Sequence, residues 1–380
     1  MGALLRSLQG KRIAIVVGSG GVGKTSVAAA IALSRAMAGG RALVCTIDPA
    51  RRLATALGLG TLGNAEALVP PEAFTRAGLA STGQLFAMML DVKRTWDDLV
   101  TRHAPDAATR DRILGNRIYQ QVSGALAGSQ EYMAMEKLYE LSTERDYDLI
   151  VLDTPPTAHA LDFLEAPDRI LDFVGNETAR KLFAPALDAG RFGARLLQVG
   201  TGFVAKTLSR FTGSDVLSDV GDFLGQFQGM YDGFKERATE VRSLLTRPEV
   251  GFVLVASPSP LSVDEALFFH DHLRTAGMPV AGSVANRVTP DLWPFPGPTP
   301  GASPLAEALA AGPGSGGADG GLDLAERLSL ALSQHQSFAH SDAREVERLR
   351  RGASGPHVAV PRLEGDVHDL AGLAALAAHL

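Results

Sequence analysis

The sequence predicts a doubly wound α/β fold, a mostly parallel sheet between helical layers with a helical subdomain inserted into it. Three observations predict it. Short runs that are apolar on both faces recur along the chain, and helical patterns separate them. The first run also leads directly into a glycine-rich turn, "GSGGVGKTS" at Gly18–Ser26, with a helix after it. Strands buried on both faces are what a parallel sheet demands, and strand–helix–strand alternation builds one.

The expected strands are Arg12–Val17, Ala42–Ile47, Gln84–Leu90, Leu149–Asp153, Val250–Ala256, Val280–Asn286 and His357–Pro361. Between the first two, "TSVAAAIALSRAMAGG" is rich in the best helix former and stops at Gly39-Gly40. Helical patterning covers about 96–141, and a second block covers about 168–247, between the fourth and fifth strands. That excursion is far longer than a crossover helix, so the two blocks together are expected to form the subdomain above the sheet. "PFPGPTPGASP" and "GPGSGGADGG" make about 294–321 a flexible insert by composition, bracketing a short Ala-rich segment, and Leu322–Arg351 resumes a helix. The whole chain, 1–380, is expected to be one domain.

Composition bounds the function. With 380 residues and 46 % apolar content, the chain can build a sizeable core. A formal net charge of -6 disfavours a general nucleic-acid binder, and the basic stretch "EVERLRRG" is read as a solvated helix face. Cys45 is the only cysteine, which excludes an intrachain disulfide and a multi-thiolate metal site. The first residues are too interrupted for a signal peptide, and no run reaches the roughly 18 apolar residues of a membrane span. The expectation is a soluble, cytoplasmic protein with no transmembrane segment.

The glycine-rich turn carries the chemistry. Gly18, Gly23, Lys24 and Thr25 fit G-x-x-x-x-G-K-[ST], and the strand before and helix after are the context that motif needs. This makes the fold a P-loop NTPase. The backbone of Gly18, Ser19, Gly20, Gly21, Val22, Gly23, Lys24, Thr25 and Ser26 would cradle phosphates, at the N-terminus of the following helix. Lys24 would reach the β- and γ-phosphates and Thr25 would place its hydroxyl on Mg²⁺. The cofactors implied are ATP and Mg²⁺. Asp153, ending the fourth strand, stands at the Walker B position and would hold Mg²⁺ through a water. Asp48 ends the second strand, where ligands of open α/β sheets bind. Either aspartate could instead be a helix N-cap.

Taken together, "GSGGVGKTS", "TIDPARRLATAL", "VLDTPPTAHALDFL", "VANRV" and "VPRLEGDVHDL" resemble the ArsA/Get family of deviant-Walker ATPases, in that family's order from Gly18 to Leu370. That family comprises arsenite-pump ATPases and factors that carry tail-anchored membrane proteins. The resemblance implies that Asp48 orients the attacking water as the catalytic partner of Lys24. It implies that Asp48 and Pro49 belong to switch I, and that Asp153, Thr154, Pro156, Thr157 and His159 belong to switch II. It also implies that Asn286 reads adenine and that Pro361 begins the adenine-lining loop.

Two departures qualify the resemblance. The family writes G-K-G-G-V-G-K-T, with a lysine that reaches across a dimer to the partner's nucleotide; here Ser19 stands in its place. Arg51 and Arg52 are candidate substitutes for that cation, or else a solvated surface pair. The thiolate cluster of metalloid capture and the Cys-x-x-C that ties some dimers by zinc are also missing, since Cys45 is alone. A homodimer would have to rest on packing and nucleotide.

The resemblance implies an ATP-driven switch coupled to a protein or membrane client, with an apolar client helix as partner. Two apolar stripes could line a groove: Val216, Val220, Phe223, Leu224, Phe227, Met230 and Phe234, and Phe192, Leu196, Leu197, Phe203, Val204, Leu208 and Phe211. They could equally pack into their own core. A MinD/ParA-like positioning ATPase is the alternative, although the C-terminal "LAGLAALAAHL" lacks the basic residues of a membrane-binding helix. A metabolic P-loop kinase or ligase and an arsenite efflux ATPase are weaker readings.

Overall fold

A computed structural model describes residues 2–47, 52–80, 82–123, 129–154, 231–293, 299–311 and 318–380. Its centre is one eight-stranded sheet. The strands are β1 (Ile13–Val17), β2 (Arg41–Thr46), β3 (Ala67–Leu68), β4 (Gln84–Met89), β5 (Leu149–Asp153), β6 (Val250–Ala256), β7 (Val280–Val288) and β8 (His357–Pro361). Their order across the sheet is β3-β4-β2-β5-β1-β6-β7-β8. Every pairing is parallel except β3 with β4.

Period-2 alternation sends each central strand's side chains into two separate cores. Ile13, Ile15 and Val17 of β1 join Ile150 and Leu152 of β5 and Phe252 and Leu254 of β6 on one face. Ala14 and Val16 join Val151, Val253 and Val255 on the other. Fully burying an aliphatic side chain is worth about 1.5–3 kcal/mol, so a strand buried on both faces is held from both sides. The second core receives the helix Lys24–Met37, whose Ala28, Ala30 and Ala32 allow a close approach to the sheet.

The seven expected strands are present, and β7 continues past Asn286 to Val288. The added strand β3 has two residues, too few to show any pattern. The stretch expected to be helical over 96–141 divides into Val92–His103, Ala107–Gly115, Arg117–Val122 and Ser129–Glu144. Pro105 forbids continuation at the first break. Asp106 then caps the next helix by accepting from the Thr109 N–H at 2.7 Å.

Of the second helical block, the helix Tyr231–Leu245 is described. It packs on Ser129–Glu144 through a buried ion pair, Arg237 Nε to Glu136 Oε1 at 2.8 Å, with the guanidinium 3.9 Å from the Tyr139 ring centre. Arg102, from Val92–His103, bridges to Glu140 at 3.5 Å and Glu144 at 3.2 Å. The stripes at 192–211 and 216–234 lie outside the described residues, apart from the backbone at 231–234.

The expected insert, about 294–321, is described at 299–311 and from 318 onward. Residues 302–311 form a helix, and a 35-residue helix begins at Ala318, inside the Gly-rich run read as a linker. These two helices pack on each other, with Ser329 Oγ donating to the Pro300 carbonyl at 2.9 Å. Leu370, Leu373 and Leu376 of the C-terminal helix Leu370–Ala377 enter the sheet's second core. The Leu380 carbonyl accepts from the Leu4 N–H at 2.9 Å. Among the described residues no helix is long and apolar enough to cross a membrane.

Candidate functional site

The carboxyl ends of β1, β5 and β2 converge where the strand order turns, with β5 and β6 flanking β1. Ligands of open α/β sheets bind at such a point. The loop Gly18–Gly23 leaves β1 here and feeds the helix Lys24–Met37. Its glycines are needed at two places. Gly18 lies at φ +153, and a Cβ there would meet the Val255 carbonyl oxygen of β6 at 2.0 Å. Gly23 is left-handed at φ +94, and its Cβ would meet Asn286 Nδ2 at 2.3 Å.

Lys24 is buried, 6 % exposed, and its Nζ donates to the Ser19 carbonyl at 2.8 Å, so the ammonium is drawn back over the loop. Ser19 itself is half-buried, with Oγ 3.4 Å from Ser262 Oγ. Ser262 accepts from the Ser257 N–H at 3.1 Å, which ties the loop to the end of β6.

Asp153 is the hub. It is 1 % exposed, and its Oδ2 accepts from Thr25 Oγ1 at 2.6 Å and from Thr46 Oγ1 at 2.8 Å. The β2–β5 register sets Thr46 directly beside Asp153, so the second bond follows from strand pairing. Next to it, Thr154 donates to the Val16 carbonyl of β1 at 2.8 Å. A carboxylate and a threonine hydroxyl in contact beside a phosphate loop form an all-oxygen set that suits Mg²⁺. That ion is held by one or two protein oxygens together with substrate phosphates and water. Among the described residues no cluster of three His, Cys, Asp or Glu forms an all-protein metal cage.

On the other side of the loop, Asn286 is buried at the end of β7. Its Nδ2 donates to the Val22 carbonyl at 2.8 Å, and its Oδ1 accepts from the Arg287 N–H at 3.0 Å. The amide therefore supports the loop from behind; its second hydrogen and second lone pair leave capacity for a base edge. Pro361, at the end of β8, pairs in register with Val288 and so lies near Asn286 along the same edge. Cys45 is buried in β2, and burial pushes its thiol up to about 12, which keeps it neutral and unsuited to thiolate capture of a metalloid.

Asp48, Pro49, Pro156, Thr157, His159 and Arg51 lie outside the described residues, as does the side chain of Arg52. Thr46, Ser262 and Arg287 escaped the sequence reading. A threonine in a strand is an ordinary strand former. Only its place two residues before Asp48 could have drawn notice.

A sequence model of the family described as "Anion-transporting ATPase" (ArsA) matches residues 11–293. The chain belongs to the ArsA ATPase family. An uncharacterized protein of Streptomyces coelicolor is 29 % identical to it over 281 residues, 74 % of this chain and 63 % of that protein. ATPase GET3C of Arabidopsis thaliana is 24 % identical over 295 residues, 75 % and 68 % of the two chains. A putative arsenical pump-driving ATPase of Halobacterium salinarum is 32 % identical over 183 residues, covering 46 % of this chain and 27 % of the other. The chain spans less than two thirds of the length of the Streptomyces and Halobacterium relatives. Both the family and these relatives favour an ArsA/Get ATPase over a MinD/ParA-like positioning ATPase.

Proposed function

We propose that this ArsA-family chain binds ATP with Mg²⁺ at Gly18–Ser26 and hydrolyses it. We further propose that nucleotide state sets the pose of the helical blocks, which handle an apolar client helix or a membrane-associated partner. The observation that carries the reading is the contact of the Thr25 hydroxyl with the Asp153 carboxylate at 2.6 Å, beside buried Lys24. Thr25 and Asp153 would hold Mg²⁺, which neutralises phosphate charge when bound. Lys24 supplies a point charge to the β- and γ-phosphates. Asp48 would accept a hydrogen bond from the attacking water and fix its line of approach. Asn286 and Pro361 would border the adenine.

Phosphoryl transfer asks little covalent chemistry of a protein, so positioning and charge carry catalysis. A switch of this kind needs a nucleotide-sensitive element joined to a larger body. β5 leads from Asp153 toward the helical blocks, whose described parts hold together through Arg237 and Arg102. A homodimer that closes on nucleotide belongs to the same proposal. The test is calorimetry with MgADP and MgATP, phosphate release, and mass measurement of Asp48→Asn with and without MgATP. Binding, turnover in the parent and a nucleotide-trapped assembly in the variant are expected. Absence of any heat with either nucleotide overturns the reading.

A further inference from the structure

Arg287 has the only left-handed backbone among the described non-glycine residues, at φ 64. It falls where the β7–β8 register shifts between Ala285 and Val288. A bulge whose first residue is left-handed ordinarily takes glycine, and such bulges recur beside active sites, where they re-aim a side chain. A strained residue persists only where its surroundings hold it. Here the strain carries the guanidinium to the phosphate loop, where NH1 donates to the Gly21 carbonyl at 3.0 Å.

This bond has a companion: Asn286 Nδ2 donates to the Val22 carbonyl at 2.8 Å. In a trans peptide the C=O and N–H point to opposite sides. Pinning the carbonyls of Gly21 and Val22 therefore turns the N–H groups of Val22 and Gly23 the other way. Inward N–H groups are what a phosphate loop needs. A cation on a carbonyl also polarises its own peptide, which strengthens the N–H across from it.

We infer that Arg287 is a positioning residue of the phosphate loop. It fixes the Gly21–Val22 peptide with its N–H toward the phosphate and sets behind the loop a positive charge that Ser19 does not set in front. The inference rests on the proposed nucleotide site and names a residue that this reading did not use. It also relocates the missing cation from Arg51 or Arg52 to a residue of the same subunit on β7.

The test compares Arg287→Ala, Arg287→Lys and Arg287→Gly with the parent by calorimetry, using ADP, inorganic pyrophosphate and adenosine as probes, alongside thermal melts. For Arg287→Ala, ADP and pyrophosphate affinity should fall about tenfold, as expected for loss of a charge-assisted bond, while adenosine stays within about twofold. Lysine, which keeps the charge but loses the planar fork, should fall between. Arg287→Gly should lose phosphate affinity like alanine yet melt at or above the parent temperature, because glycine accepts the left-handed backbone. It keeps the test decisive if the alanine variant misfolds. ADP and pyrophosphate binding within about twofold of the parent in folded Arg287→Ala or Arg287→Gly would overturn the inference alone, as would an equal loss for adenosine. A parent that binds no nucleotide would instead overturn the proposed function, and this inference with it.

Discussion

Thr46→Val tests the hub of the site. The substitution keeps the branched shape and leaves no void, so it removes little except the hydroxyl 2.8 Å from Asp153 Oδ2. A hydrogen bond to a charged group is worth about 1.5–3 kcal/mol, and the buried carboxylate has little water to replace it. Without metal, Thr25 still donates to the same oxygen at 2.6 Å, so Mg-free ADP should bind within about twofold of the parent. With metal, Thr25 would turn to Mg²⁺ on the proposed function, and Thr46 would be left to orient the carboxylate. MgADP affinity should then fall about ten- to a hundredfold, the equivalent of about 1.4–2.8 kcal/mol. Thr46→Ser restores the hydroxyl and should recover most of the loss. Calorimetry with ADP, with and without magnesium, reads the difference. Equal weakening in both conditions would mean that Thr46 only supports the fold, and unchanged MgADP affinity would mean that Asp153 needs no such support.

Other outcomes follow from the same geometry. Gly23→Ala places a Cβ 2.3 Å from Asn286 Nδ2 at a left-handed backbone, so nucleotide binding should be lost, with a destabilisation of about 1–3 kcal/mol in a thermal or urea melt. Lys24→Ala should abolish measurable ATP turnover while the far-UV spectrum stays that of the parent. Arg237→Ala strands the Glu136 carboxylate in a site that already raises its pKa by burial; it should cost about 3–5 kcal/mol in denaturant melts, more than Glu136→Gln. The His357 pKa is lowered by burial, so the unfolded chain takes up a proton at a higher pH than the folded one does. Stability should therefore fall as pH drops below about 6.5, and His357→Asn should flatten that slope in melts taken between about pH 7.5 and 5.5.

The legible part of this fold was the part written locally. β1, β5 and β6 are buried at every position and, Asp153 and Gly251 apart, apolar throughout, and a strand buried on both faces cannot hide that. The phosphate loop was equally plain, because its G-x-x-x-x-G-K-T spacing falls in one short segment between an apolar strand and a helix. β3 left no trace, since two residues make no period. The Gly- and Pro-rich stretch was hard to read for a different reason. Its composition favours loop, yet the helix beginning at Ala318 is held by packing on the helix Ala302–Ala311 and on the helix Pro260–Thr275. Tertiary contact there overrides local preference. Thr46 and Arg287 were hidden because their roles exist only across strands. One depends on the β2–β5 register, the other on a bulge between β7 and β8.

If the segments at Asp48 and Asp153 act as the proposed switches, strand pairing lets one carboxylate report on both. β2 ends at Thr46, two residues before Asp48, and β5 ends at Asp153, the first residue of the segment proposed as switch II. Parallel pairing sets these ends side by side, and the Thr46 hydroxyl joins them through Asp153 Oδ2, while Thr25 brings the phosphate loop to the same oxygen. A group that draws Thr25 away must redistribute the bonds on that oxygen, and β2 and β5 feel the change together. On the proposed function a distant helix is not needed for this first step, because the sheet itself would be the coupling element, and the helical blocks would then need only follow β5. The consequence is specific: Thr46→Val should uncouple the nucleotide-dependent protease sensitivity of 155–230 from magnesium, even at nucleotide concentrations that saturate the site. Magnesium-dependent cleavage identical to the parent's would show that the two switches communicate by another route.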